Sequence, residues 1–311
     1  MDFQSCYNNY SFILMEGALG ERLKREYDIP FDEIIALAGH IYNEKSKQAL
    51  KELFQQYINI SQHYHLPIML TTPTRRANKE RVAQSQYNES IIYDNVSFLR
   101  EIKQDVPSDV YIGGLMGYKG DAYKATDVLS EEEAFEFHSW QASLFAKAKA
   151  DFLYAGIMPA LSESIGMASA MESTGLPYII SFMIKNDGKL IDGTTIHEAI
   201  SVIDNATNRK PLCYMTNCVH PNVVAKALSR IYNQTSIVQK RFKGIQANTS
   251  LLSPEELDNC YDLKTSDADK LANDMLKLYK DFNFKIFGGC CGTDDTHMNE
   301  IAKNLSRIIS Y

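Results

Sequence analysis

Ile286-Phe-Gly-Gly-Cys-Cys-Gly-Thr-Asp-Asp-Thr-His297 sets two adjacent cysteines behind two glycines at the end of an apolar run. A helix start follows at once, with Thr293 placed to cap it and Asp294 and Asp295 in the first turn. The stretch reads as strand, corner, helix. Its glycines admit backbone geometry closed to other residues and leave room for a ligand. Consecutive side chains on a strand point to opposite faces, so both thiols share a target only at the strand's end.

Upstream, Pro211-Leu-Cys-Tyr-Met-Thr-Asn-Cys-Val-His-Pro221 is another apolar run that ends in a cysteine and leads into a helical pattern. Cys218, Cys290 and Cys291 are therefore expected at two equivalent strand ends. Three thiolates around one ion is a zinc arrangement, and zinc with three protein ligands keeps a fourth position for substrate. The spacing is too long for a compact zinc finger. Three incidental cysteines are the alternative, and the Gly-Gly-Cys-Cys-Gly context favours the metal.

Eight short apolar runs recur, at 11–16, 67–72, 110–116, 151–156, 177–183, 211–217, 242–248 and 284–289. Helical patterns separate most of them. One opens on a capping box at Ser130 and Glu133, with Glu131 to Glu133 in its first turn and Ala134, Phe137, Gln141, Leu144 and Ala148 along one face. Another begins near Ser266 and runs through Ala268, Leu271, Met275, Leu278 and Phe282; Ser253-Pro254-Glu255-Glu256 reads as a further helix start.

Strands alternating with helices imply a parallel sheet, and eight such units predict an α/β fold closed into a (β/α)8 TIM barrel. An open doubly wound sheet would give a similar string. The polar groups discriminate: Glu16, Thr72, Asn217, Asn248 and the three cysteines all fall at or just after the C-terminal ends of runs. In a barrel those ends converge on one mouth, where active sites sit.

The totals agree with this architecture. A barrel takes about 250 residues, so the 311 residues are expected as a single domain, 1–311. The composition, 45% hydrophobic and 23% charged, is ordinary for a globular protein, and a net charge of −7 with no block of like charge argues against a nucleic-acid surface. No apolar run reaches the roughly 18 residues of a membrane span, and the N-terminus lacks a secretory pattern, so a cytoplasmic location is expected. Six cysteines in this length make no disulfide scaffold. Cys6, Cys213 and Cys260 are expected to be packing or surface residues, and His63, His65, His220 and His297 are expected not to be metal ligands.

In these motifs the chain resembles the homocysteine S-methyltransferase family, whose barrels carry Gly-Gly-Cys-Cys-Gly-Thr and an upstream Asn-Cys. The likeness covers nearly the whole chain. It adds, in family order, Met15-Glu-Gly-Ala-Leu-Gly-Glu-Arg-Leu23, Thr71-Thr-Pro-Thr-Arg-Arg-Ala-Asn78, Ser181-Phe182 and Gly188-Lys-Leu-Ile-Asp-Gly193. The resemblance implies a barrel with Zn2+ on Cys218, Cys290 and Cys291 that transfers a methyl group from a sulfonium-type donor to a thiol. Homocysteine giving methionine is the implied reaction, with no nucleic-acid or membrane partner. Glu16, Gly17, Ala18 and Thr72 would shape the acceptor site, Glu16 taking a substrate ammonium where the family usually has Asp. Asn217 and Asn248 carry over as amides that orient a ligand or a thiolate, although an asparagine ending a strand is also a common turn residue.

Two departures bear on the substrate. Arg75 and Arg76 stand where betaine-using members carry aromatic side chains, and two cations would repel that donor; they suit an anionic substrate or a solvated surface. Counting from Asp151 and Pro159 puts Gly156 and Ile157 at the family's Glu-Thr pair, so the carboxylate expected to hold the amino group of homocysteine is missing, and Glu163 downstream matches a different position. A thiol lacking a free amino group is the competing acceptor, and a zinc-holding barrel that binds thiols without turnover is the competing class. The donor stays open among S-methylmethionine, S-adenosylmethionine and a methyl-corrinoid or methylfolate partner. No cobalamin or folate module is expected within the chain, which favours a small sulfonium.

Overall fold

The computed structural model describes residues 1–104, 106, 109–250 and 267–309. Each of the eight apolar runs carries one strand, with β3, β4 and β6 extending one or two residues past the run: β1 (Ile13–Met15), β2 (Ile68–Thr71), β3 (Val110–Gly117), β4 (Phe152–Met158), β5 (Tyr178–Phe182), β6 (Cys213–Val219), β7 (Phe242–Ala247) and β8 (Ile286–Gly289). They close into a barrel in chain order, every pair parallel and β8 returning to β1. Such strands are covered on both faces, which is why they read as continuous apolar runs rather than alternating ones.

The barrel interior is filled by Met15, Met69, Tyr111, Phe152, Tyr154 and Met215 among others. A short helix, Phe3–Asn9, plugs the N-terminal end: Phe3 stacks on Phe152 with ring centroids 4.2 Å apart, and Cys6 is fully buried beside it. Cys6 and Cys213 are thus packing residues of one inner cluster. Filling this end leaves the opposite, C-terminal mouth for chemistry.

The helices form the outer layer. In Glu131–Lys147 the capping box is realised, with the Glu133 N–H donating to the Ser130 hydroxyl and the Ser130 N–H to the Glu133 carboxylate. The buried face departs from expectation, because Phe137 is only half-buried and His138 takes the inner position. His138 turns inward to meet Glu163 at 2.9 Å, both side chains being fully enclosed. The helix Ala268–Phe282 carries the expected apolar positions and is capped by Asp267. Ser266, Ser253 to Glu256 and Cys260 lie outside the described residues.

The C-terminal corner corrects one expectation. Asp294, not Thr293, caps Asp295–Ile309, accepting the His297 N–H at 3.1 Å. Thr293 is otherwise engaged: its hydroxyl donates to the Cys290 carbonyl at 2.7 Å and accepts the Ala18 N–H at 3.1 Å. It ties the cysteine corner to the loop after β1. Among the described residues, no helix is long and apolar enough to cross a membrane.

Candidate active site

Cys218 sits near the end of β6, and Cys290 and Cys291 follow β8 directly. Their sulfur atoms all lie within 4.8 Å of one another, with 4.0 Å between Cys290 and Cys291. Glycine makes this convergence possible. A Cβ on Gly289 would come within 2.2 Å of the Thr293 hydroxyl, and Gly292, at φ +82°, turns the chain in the left-handed region so that consecutive thiols face one centre. The Gly292 N–H is held by the Glu21 carboxylate at 2.6 Å.

Cys218 itself is left-handed, at φ 55°, inside a register shift between Asn217 and Val219. Non-glycine residues rarely adopt this conformation, and it persists where surroundings enforce it. Here the Asn248 side-chain amide donates to the Cys218 carbonyl at 2.9 Å, and the Asn248 N–H donates to Val219 at 3.0 Å. Ile157, at φ 58° in a matching irregularity of β4, donates its N–H to Asn217 Oδ1 at 3.0 Å. Asn217 also donates to the Tyr154 hydroxyl at 2.7 Å and to Gln246, so its amide braces three strands.

Crowding governs the thiols. Hydrogen bonding from Cys290 favours ionisation of Cys218, but its bond with Cys291, burial and the charge of Cys291 outweigh this and push the thiol well above its ordinary range. Three soft donors that cannot share negative charge unaided match a thiophilic cation. The 4.0 Å sulfur separation is close to the edge of a tetrahedron with zinc–sulfur bonds, about 3.8 Å. Among the described residues these cysteines are the one cluster of His, Cys, Asp or Glu suited to a metal ion. The histidines are elsewhere: His220 caps Pro221–Leu228 by accepting the Asn222 N–H, His297 pairs with Asp294, and His63 packs edge-on against Tyr64.

A cavity of about 240 Å³ opens over the sulfurs. Glu16, Gly17, Ala18, Thr72 and Asn217 line it, while Asn248 does not. Glu16 is 3% exposed, and both its carboxylate oxygens are taken by Thr71, one by the hydroxyl and the other by the N–H at 3.2 Å. Burial outweighs these bonds and pushes its carboxyl up to about 7. The Thr72 hydroxyl is engaged by Thr74 at 2.7 Å and by the Leu115 N–H at 3.1 Å, so it braces the wall. Ala18 has already given its N–H to Thr293. Tyr123, Phe31 and Tyr154 also line the cavity. Sequence reasoning missed all three, since the first two come from loops without periodicity and the third looked like one more apolar strand residue.

Gly156 lines the cavity as well, and a Cβ there would meet only the Leu115 Cδ1 tip at 3.0 Å before ordinary contacts. Glu163 does not replace the missing acid. It is fully buried and accepts from the Lys119 N–H and His138 at 2.9 Å each and from the Leu129 N–H at 3.4 Å. It fastens the two ends of the loop that carries Tyr123. Arg75 and Arg76 are half-buried in the cavity wall.

A match to the homocysteine S-methyltransferase family spans residues 13–305. Fold and match together define a (β/α)8-barrel methyltransferase. The chain belongs to the homocysteine S-methyltransferase family. It is 24% identical to homocysteine S-methyltransferase 2 of Saccharomyces cerevisiae over 284 residues, covering 84% of this chain and 82% of that protein. The metallated form of the homocysteine methyltransferase MmuM from Escherichia coli shares the fold at a TM-score of 0.74 and 16% identity, covering 96% of this chain and 98% of that one. Its oxidised form gives 0.75 at 16% identity, covering 95% and 97%.

Proposed function

We propose that the enzyme is a zinc-dependent S-methyltransferase that moves a methyl group from a small sulfonium donor to a thiol, with Cys218, Cys290 and Cys291 as metal ligands. Homocysteine, giving methionine, is the first candidate acceptor. The reading rests on one observation, the three sulfurs gathered within 4.8 Å beneath the cavity. An alkyl thiol with a pKa near 8.5 is mostly protonated at neutral pH. Zinc bound to the three cysteines would supply Lewis acidity that lets the incoming thiol give up its proton to solvent.

The chain's own residues then have to position and shield. Asn248 fixes the Cys218 backbone, Thr293 and Glu21 fix the corner at 290–292, and Leu115 and Ile157 supply apolar wall that limits water. The acceptor sulfur's electron pair forms the new bond to the methyl carbon, and the donor's carbon–sulfur pair departs on a neutral sulfide. In-line alignment of the two sulfurs is the remaining task. A thiol without an amino group is the second reading, favoured by Gly156 at the cavity wall. Thiols kept for a metal suit a reducing compartment, and we assign the enzyme to the cytoplasm.

Elemental analysis of wild type and of Cys218→Ala, with zinc-edge absorption spectra taken before and after adding homocysteine, tests this. One zinc per chain, lost in the variant, and an added sulfur neighbour on thiol binding are expected. Wild type without metal, or a variant that keeps it, would sink the metal reading. Metal and thiol bound with no methylated product from any sulfonium donor would instead make the protein a binding barrel.

A further inference from the structure

Four charged side chains line the cavity over the sulfurs: Glu16, Glu21, Arg75 and Arg76. Their pairing is lopsided. Glu16 is held by Thr71, and Glu21 by the Gly292 N–H. Neither arginine has a hydrogen bond or an ion pair to any other described residue. Other arginines in the partly buried layers are paired, Arg22 with Glu26 and Asp295 and Arg241 with Asp204. Guanidinium groups offer five donors in a planar fork that matches a carboxylate or sulfonate.

Arg75 is also held in place. Its stem lies against Gly117 at the end of β3, where a Cβ would come within 2.5 Å of the Arg75 Cγ. Arg76 carries the strain of the pairing, since burial and the neighbouring charges of Arg75 and Arg81 lower its proton affinity by more than the longer-range influence of Asp121 and Tyr123 raises it. An anion between the two forks would relieve both costs.

We propose that Arg75 and Arg76 form a subsite for the anionic end of the acceptor, so that this enzyme recognises its thiol by a carboxylate or sulfonate and does not require an ammonium group. The inference rests on the thiol-transfer reading of the same cavity. The cavity wall at Gly156, one strand over from the Gly117 that Arg75 rests against, offers no carboxylate to an amino group, and Glu16 is already occupied by Thr71. A bound carboxylate or sulfonate would also offset one of the two positive charges that otherwise repel a sulfonium, so the acceptor should bind before the donor.

Calorimetry on the zinc-loaded protein, with wild type and the double variant R75Q/R76Q, tests the proposal using 4-mercaptobutanoate, its neutral counterpart 4-mercapto-1-butanol, homocysteine, the sulfur-free pentanoate and S-methylmethionine. Wild type should bind the mercapto acid at least about tenfold more tightly than the alcohol and no more weakly than homocysteine, and the double variant should lose that advantage while its affinity for the alcohol is unchanged. Equal binding of acid and alcohol by wild type, or an acid preference that survives in the variant, overturns it. Should the mercapto acid fail to outbind pentanoate, the thiol reading fails, and pentanoate still decides the subsite: binding lost in the variant supports it, and equal or absent binding overturns it. A variant weakened for S-methylmethionine but not for the mercapto acid would give the subsite to the donor and overturn the acceptor assignment.

Discussion

The Asn248 side-chain amide donates to the Cys218 carbonyl at 2.9 Å and so holds a cysteine in the left-handed region. That bond is the side-chain hold on the carbonyl of residue 218 itself, and losing it would ease the return of that residue to extended geometry, which would swing its thiol away from Cys290 and Cys291. Asn248→Ala should therefore fold but bind zinc about 10- to 100-fold more weakly, the usual cost of losing an outer support. Competition with a chelating dye measures it. Unchanged metal affinity with a lowered melting temperature would mean the amide serves stability alone.

Glu16 makes stability depend on pH. Its carboxyl is raised from 4.5 to about 7 by burial, so the folded chain holds this proton more tightly than the unfolded one. Below the unfolded value both states are protonated and nothing is lost. As pH rises from there through about 7 the unfolded state ionises first, and stability falls by about 3 kcal/mol in full. Glu16→Gln removes this slope, so its urea midpoint should gain on wild type between about pH 5 and about pH 8. A constant difference across that range would contradict the raised carboxyl.

The strands were legible because parallel barrel strands are apolar on both faces, and the cysteine corner was legible because glycines on both sides of a thiol pair are rare without a reason. What escaped was set by partners distant in sequence. Thr293 and Asp294 are both good caps, and the contacts of Thr293 with the Cys290 carbonyl and with Ala18, distant in sequence but next to it after the neighbouring strand β1, decide between them. Phe137 was expected on the inner face of its helix, and it is Glu163, on the next helix, that draws His138 inward instead. The left-handed Ile157 and Cys218 had no signal at all, since a β-branched residue and a cysteine in an apolar run look like ordinary strand.

Glu163 gives a separate prediction about the loop that carries Tyr123. Three donors, the Lys119 and Leu129 N–H groups and His138 Nε2, converge on one buried carboxylate. Glu163→Ala strands them all and should cost about 3 kcal/mol or more in urea unfolding. The same variant should speed hydrogen exchange across residues 118–129 while leaving the barrel strands protected. Exchange that accelerates uniformly would show a global loss and no specific hold on the loop.

Gly156 is where acceptor specificity can be rewritten. A Cβ there meets the Leu115 Cδ1 at 3.0 Å, and the next neighbours, the Met116 carbonyl and Tyr154 Cε1, stand at 3.7 Å. A flexible leucine tip can give way by a few tenths of an ångström, so Gly156→Ala should cost no more than about 1 kcal/mol and serves as the steric control. Gly156→Glu adds a carboxylate to a wall of the cavity that has none, and an ammonium placed against it gains a charge-assisted hydrogen bond. The affinity for homocysteine should then rise about tenfold relative to 4-mercaptobutanoate, read by calorimetry on the zinc-loaded protein. If the ratio stays put in Gly156→Glu while Gly156→Ala folds normally, the position does not reach the amino group. A wild type that already favours homocysteine by that factor would show the same without any substitution, because some other group must then be holding the ammonium.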